Sequence, residues 1–148
     1  MMLFRSISVQ KAPSSFRIVV DTNIFISSIV FGGKPRHLIN LIADDAVTLI
    51  TAQELLTEIR RIIVAKFPDF FEDLARVEKL LDSDAIWVRL GGVTVTESRD
   101  PDDNKFIEAA VLGSCDYIVS GDKDLLDIKE YKGTKIVNVS EFLKLFSN

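Results

Sequence analysis

Five acidic residues stand where their carboxylates could act together. Asp21 directly follows the apolar run Ile18-Val19-Val20, so a strand there delivers it to that strand's carboxyl end. Asp122 repeats the arrangement just beyond a second run, Tyr117-Ile118-Val119-Ser120, with Asp124 two residues on. Glu58 falls between Leu55 and Ile62 at helical spacing, and Asp103 precedes Phe106, Ile107 and Ala110 on the face they share. Each acid also has an ordinary structural use. Asp21 and Asp122 suit a helix cap or turn, Glu58 a boundary position paired with an arginine, and Asp103 the positive end of a helix. Gathered at one end of a sheet, the acids would repel one another. The usual relief is protonation of some members or capture of a hard divalent cation, Mg²⁺ or Mn²⁺. Such an ion lowers the pKa of a coordinated water and stabilises charge on a phosphoryl oxygen, so the expected chemistry is phosphodiester hydrolysis. There is no histidine pair for metal-free ribonuclease chemistry and no Walker-type phosphate loop.

The elements that must position these acids alternate along the chain. Strands are expected at 16–20, 47–50, 85–90, 117–120 and 135–138, with a short extended piece at 93–95. Between them, helices are expected after Asp21, from Pro35 to Ala43, from a Thr51–Glu54 capping box to Val64, from Pro68 to Asp82, and from Pro101 to Leu112. Asp100 caps the last of these and Gly113 closes it, while Ser140 caps a final helix over 142–146. This order predicts an α/β fold with a mostly parallel sheet of about five strands, whose functional residues collect at the carboxyl edge.

Composition narrows the class. The 148 residues carry 18 Lys+Arg against 22 Asp+Glu, a formal charge of −4, with 47% hydrophobic and 27% charged residues. That excludes a strongly basic nucleic-acid-coating protein and a disordered chain. No apolar run approaches the roughly 18 residues of a membrane helix, so no membrane association is expected. Cys115 and His37 are the single cysteine and histidine; a zinc site is all but excluded, and a reducing, cytoplasmic setting is expected. Residues 1–15 read as a flexible extension without the apolar core of a signal peptide, and 16–148 as one domain.

Four segments together resemble the PIN domain family, in particular its small VapC-like toxins: Val19-Val20-Asp21-Thr22-Asn23, Glu54-Leu55-Leu56-Thr57-Glu58-Ile59, Arg99-Asp100-Pro101-Asp102-Asp103-Asn104-Lys105-Phe106 and Asp116 through Leu126. The resemblance implies a three-layer α/β/α sandwich and a Mg²⁺- or Mn²⁺-dependent endoribonuclease. It also implies an RNA substrate, an antitoxin protein as partner and a homodimer. Asp21, Glu58, Asp103 and Asp122 match the family's acidic quartet, Asn23 and Ser120 its polar supports, and Asp124 a frequent extra acid. On this basis Asp21, Asp103 and Asp122 are the expected metal ligands, with Glu58 and Asp124 as further candidates. Ser120 stands where the family often has threonine, and Glu54 remains an alternative to Glu58.

Lys34, Arg36, Lys105 and Lys123 are candidates for phosphate contact, against the simpler reading of a solvated face. Trp87 is expected in the core, and Phe67, Phe70 and Phe71 in helix packing or a partner surface. Two rival functions differ in class. A haloacid-dehalogenase-like phosphohydrolase would use Asp21 as nucleophile but needs an acid where Asn23 stands. A catalytically silent PIN-like binding module would have no need to keep four mutually repelling acids.

Overall fold

The computed structural model describes residues 16–147, so the expectation for residues 1–15 lies outside the described residues. The first half runs β1 (Arg17–Val20), α1 (Thr22–Val30), α2 (Gly33–Ala43), β2 (Thr48–Thr51), α3 (Gln53–Lys66), α4 (Phe71–Asp84) and β3 (Ile86–Trp87). The second half runs α5 (Asn104–Leu112), β4 (Tyr117–Val119), α6 (Lys123–Leu126), β5 (Glu130–Tyr131), β6 (Thr134–Val137) and α7 (Val139–Leu143). Single 3₁₀ turns precede α4 and α5, each started by the proline that fixes its first φ, Pro68 and Pro101.

The sheet order is β3-β2-β1-β4-β6-β5, parallel throughout except for the β5–β6 hairpin. β1 lies at the centre with β2 on one side and β4 on the other, so the order reverses there and leaves a crevice beyond the carboxyl ends of β1 and β4. Strand alternation sorts the core into two layers. Ile18, Val20, Leu49 and Val119 face the side carrying α1, α2, α3, α4 and α7, while Val19, Ile50, Ile118 and Ile136 face α5 and α6. Helices on both faces make the three-layer α/β/α sandwich.

On the second side, α5 comes so close to β2 that a Cβ on Gly113 would stand 2.6 Å from the Ile50 side chain. Only glycine fits there, and its N–H closes α5 on the Ala109 carbonyl. Tyr117 packs edge-on between Phe16 and Phe142, at 5.1 and 5.4 Å, which fastens α7 to the sheet.

Several expectations are corrected. All five expected strands are present, and the two-residue β5 adds a sixth by pairing onto β6 through a turn whose Gly133 has φ +88°. The strand expected at 85–90 is only Ile86–Trp87, and the piece at 93–95 stays outside the sheet. There Glu108 of α5 accepts from the backbone N–H groups of Gly91 and Val93 and holds the segment as a loop. Helix α2 starts at Gly33, ahead of Pro35. Thr51 is not a cap, since it belongs to β2 and is buried, and Ala52 occupies the cap position of α3 without a side-chain bond. Asn138, not Ser140, caps the last helix, in a reciprocal box with Glu141. Trp87 lies on the edge strand with a third of its surface exposed and donates its indole N–H to the Leu81 carbonyl. Of the apolar residues from Phe67 to Leu81, most pack into the core; Phe71 and, on α3, Val64 remain more than half exposed.

Candidate active site

The turns that end β1 and β4 place the first two acids. Asp21 caps α1: its Oδ1 accepts from the Asn23 backbone N–H at 3.0 Å, and its own N–H bonds the Val119 carbonyl of the neighbouring strand. Asp122 caps α6 in the same way, accepting from the Asp124 N–H at 2.9 Å. Ser120, fully buried, joins the two turns, since its hydroxyl donates to Asp21 Oδ2 at 2.6 Å and accepts from the Asp122 N–H at 3.0 Å. Asp100 makes a third such cap, accepting from the Asp102 N–H at 3.0 Å. Tying one carboxylate oxygen to a backbone N–H two residues on fixes the rotamer of each group.

Asp103 is delivered differently. It sits on the 3₁₀ turn entering α5, is 8% exposed, and has its Oδ2 buried without a hydrogen-bond partner. Burial above all, then a hydrogen bond and the charge of Asp122, then the charges of Asp100 and Asp21, raise its pKa to about 8. The Asp21 pKa is also raised, by burial first, although the bonds from Ser120 and Asn23 oppose the shift.

These acids share one cleft of about 350 Å³, lined by Asp21, Asn23, Glu58, Asp100, Asp102, Asp103 and Asp122, with Arg61, Ile62, Ala65, Lys66 and Phe106 completing its walls. Two depressions elsewhere, of about 440 and 450 Å³, are larger but carry no such convergence of acids. Single carboxylate oxygens of Asp100, Asp103 and Asp124 lie within 4.8 Å of one another, which extends the acidic cluster to the far side of Asp103. The donor set is all oxygen, and the buried, unpartnered Asp103 oxygen is a costly arrangement that a hard divalent cation would relieve. The residues present therefore fit a hard divalent cation.

Of the alternative glutamates, Glu58 lines the cleft. Glu54, one turn earlier on α3, borders the separate depression beside Trp87. The four basic candidates divide. Lys105 reaches the cluster and donates to Glu58 at 2.6 Å. Lys34 bonds the Ser140 hydroxyl, and Arg36 donates to the carbonyls of Ser28 and Ile29 near the end of α1; neither lines the cleft, nor does the exposed Lys123. The sequence reading missed Arg61 and Lys66 as cleft residues. The signal was available: Arg61, Ile62, Ala65 and Lys66 follow Glu58 by three, four, seven and eight positions, one face of a helix. Asp100, expected only as a cap, and Asp102 also line the cleft.

Comparison with known proteins agrees with this architecture. The PIN domain family pattern matches residues 17–124, a span that holds all five of the predicted acids. An uncharacterized protein of Methanocaldococcus jannaschii is 32% identical over 128 residues, covering 83% of this chain and 82% of its own. PIN domains are typically metal-dependent nucleases acting on nucleic acids. With the four motif segments converging on one acidic cleft at the reversal point of the sheet, the chain belongs to the PIN domain family.

Proposed function

We propose that the chain is a Mg²⁺- or Mn²⁺-dependent endoribonuclease that hydrolyses phosphodiester bonds of single-stranded RNA. We further assign it, on its likeness to VapC-type proteins, as the toxin of a toxin–antitoxin pair that acts in the cytoplasm as a homodimer. The observation that carries the enzymatic reading is the buried, unpartnered Asp103 oxygen in a cleft shared with Asp21, Glu58 and Asp122. A binding module with no metal chemistry would gain stability by losing that group.

In this reading Asp21, Asp103 and Asp122 would hold the ion, with Asp124 at the edge of the cluster. When bound, the ion supplies a water of lowered pKa and positive charge for the phosphoryl oxygens. Ser120 and the Asn23 backbone N–H keep Asp21 in one rotamer, so its carboxylate needs no reorganisation. Glu58 lines the same cleft and, in this reading, would accept a proton from an attacking water. Arg61 and Lys66 stand on the wall where an RNA backbone would enter, and offer it positive charge despite the acidic total.

The deciding experiment incubates purified protein with a single-stranded RNA and Mn²⁺. Cleavage should stop with a chelator and be absent from Asp21→Asn and Asp103→Asn variants of unchanged fold. Cleavage that survives both substitutions together would refute the assignment. For the toxin role, the measurement is whether a small protein encoded beside this one co-purifies with it and suppresses cleavage.

A further inference from the structure

Lys105 is the one candidate cation that points into the cluster, and its position is costly. It lies in the first turn of α5, where the helix dipole disfavours positive charge, and only 19% of its side chain is exposed. Its ammonium is 2.6 Å from Glu58, 3.5 Å from Asp102 and 5.4 Å from the centre of the Phe106 ring. The Glu58 side chain is itself 15% exposed, so this is a largely desolvated pair. The second cation near Glu58, Arg61, is 3.9 Å away and 69% exposed, too wet to matter comparably. Among the described residues no ion pair reaches Asp21, Asp103 or Asp122. Charge compensation in the cleft is thus uneven: Glu58 has a fixed partner and the central aspartates have none.

We propose that Lys105 is a positioning residue that withholds Glu58 from the metal. The ion would then be held by aspartates alone, and Glu58 would stay beside it as a carboxylate off the metal, its orientation fixed by Lys105. This rests on the nuclease reading above and deepens it, because it separates the acid that handles protons from the acids that hold the ion. Without Lys105 the Glu58 carboxylate would be a partly buried charge with only the exposed Arg61 nearby, and the same divalent cation, or a second one, would recruit it.

The test measures Mn²⁺ affinity and stoichiometry by electron paramagnetic resonance of the free ion, without RNA, on the full chain. Lys105→Met should bind Mn²⁺ roughly tenfold more tightly or take up an additional ion, since a unit charge beside a divalent ion is lost and a carboxylate is released. Lys105→Arg should stay within about threefold of the unmodified protein, as rescue by a retained cation. The double variant Glu58→Gln with Lys105→Met keeps the net charge and removes both members of the desolvated pair, leaving only the exposed Arg61 and Asp102 without them, so it should fold even if the single variant does not. It should also match the unmodified protein within about threefold, because the lost carboxylate was not a ligand. The inference is overturned if Lys105→Met binds no more tightly and no additional ion, or if the double variant binds about tenfold more weakly. Those results, with metal-dependent cleavage intact, leave the nuclease assignment standing. A native chain that binds no Mn²⁺ at millimolar concentration overturns both.

Discussion

Replacing Asp103 by asparagine should flatten the pH dependence of stability in the metal-free protein. The native carboxyl has its pKa raised from 3.8 to about 8, while an unfolded chain loses that proton near 3.8. Between those values the folded state binds more protons than the unfolded one, so its stability is greatest below the unfolded pKa and falls as pH rises through the folded pKa. One proton sets the limiting slope at about 1.4 kcal/mol per pH unit. From about pH 5 to about pH 7 the ceiling is therefore ~2.7 kcal/mol, and the coupling of Asp103 to its neighbouring acids should reduce the observed loss to about 1–2 kcal/mol. For a domain of this size each kcal/mol moves Tm by about 2–4 °C, which gives a fall of about 2–8 °C in the native chain. Asparagine keeps the shape and cannot ionise, so the variant should lose most of that slope and be the more stable protein at pH 8. The assay is thermal unfolding followed by circular dichroism in chelator across that range. Parallel Tm curves for the two proteins would refute the argument that Asp103 carries the burial cost.

Four further outcomes are expected. Mg²⁺ or Mn²⁺ should raise Tm with concentration, by about 2.7 kcal/mol of stabilisation at a hundred times Kd, and Asp122→Asn should blunt the response; calorimetric scans over a metal series read this. Ser120→Ala should lower kcat at least tenfold at saturating Mn²⁺ and destabilise by about 1–3 kcal/mol, because it leaves Asp21 Oδ2 and the Asp122 N–H without their shared hydroxyl; steady-state RNA cleavage and thermal unfolding measure the two effects. Gly113→Ala should destabilise by about 1–3 kcal/mol through overpacking against Ile50, read from urea unfolding midpoints. Phe71→Glu should dissociate the proposed homodimer, since this side chain is 56% exposed on α4; light scattering that finds the same mass for variant and native chain would remove Phe71 from the interface.

Legibility in the sequence followed how local each signal was. The acids at 21 and 122 were readable because a buried apolar run ending in Asp needs only strand geometry to place it. Asp103 was readable from its spacing to Phe106 and Ile107, as was the Asp100-Pro101 helix start that the structure shows. Thr51 failed because it completes β2 in the core, where pairing with Trp87 outweighs a cap. The strand expected at 85–90 failed for a tertiary reason: the bonds from Glu108, seventeen residues away, draw the backbone at Gly91 off the sheet. Trp87 was misplaced because a single sequence does not show that its strand is an edge. Arg36 and Lys105 look alike in composition, yet one serves the end of α1 and the other the acidic cleft, a difference set wholly by contacts distant in the chain.

The hydroxyl of Ser120 that joins the β1 and β4 turns links residues 99 positions apart. The parallel register Val19↔Ile118 on which it depends requires most of the chain to be in place between them. Such long-range pairing pays its loop-closure entropy early and collects its contacts late, so the acidic cleft comes into being with the completed domain. A ribosome-bound or proteolysed chain lacking β4 has Asp21 and Glu58 but neither Ser120 nor Asp122. Any activity of this cleft thus reports global folding, and a cell making the protein is exposed to it only once synthesis has passed β4.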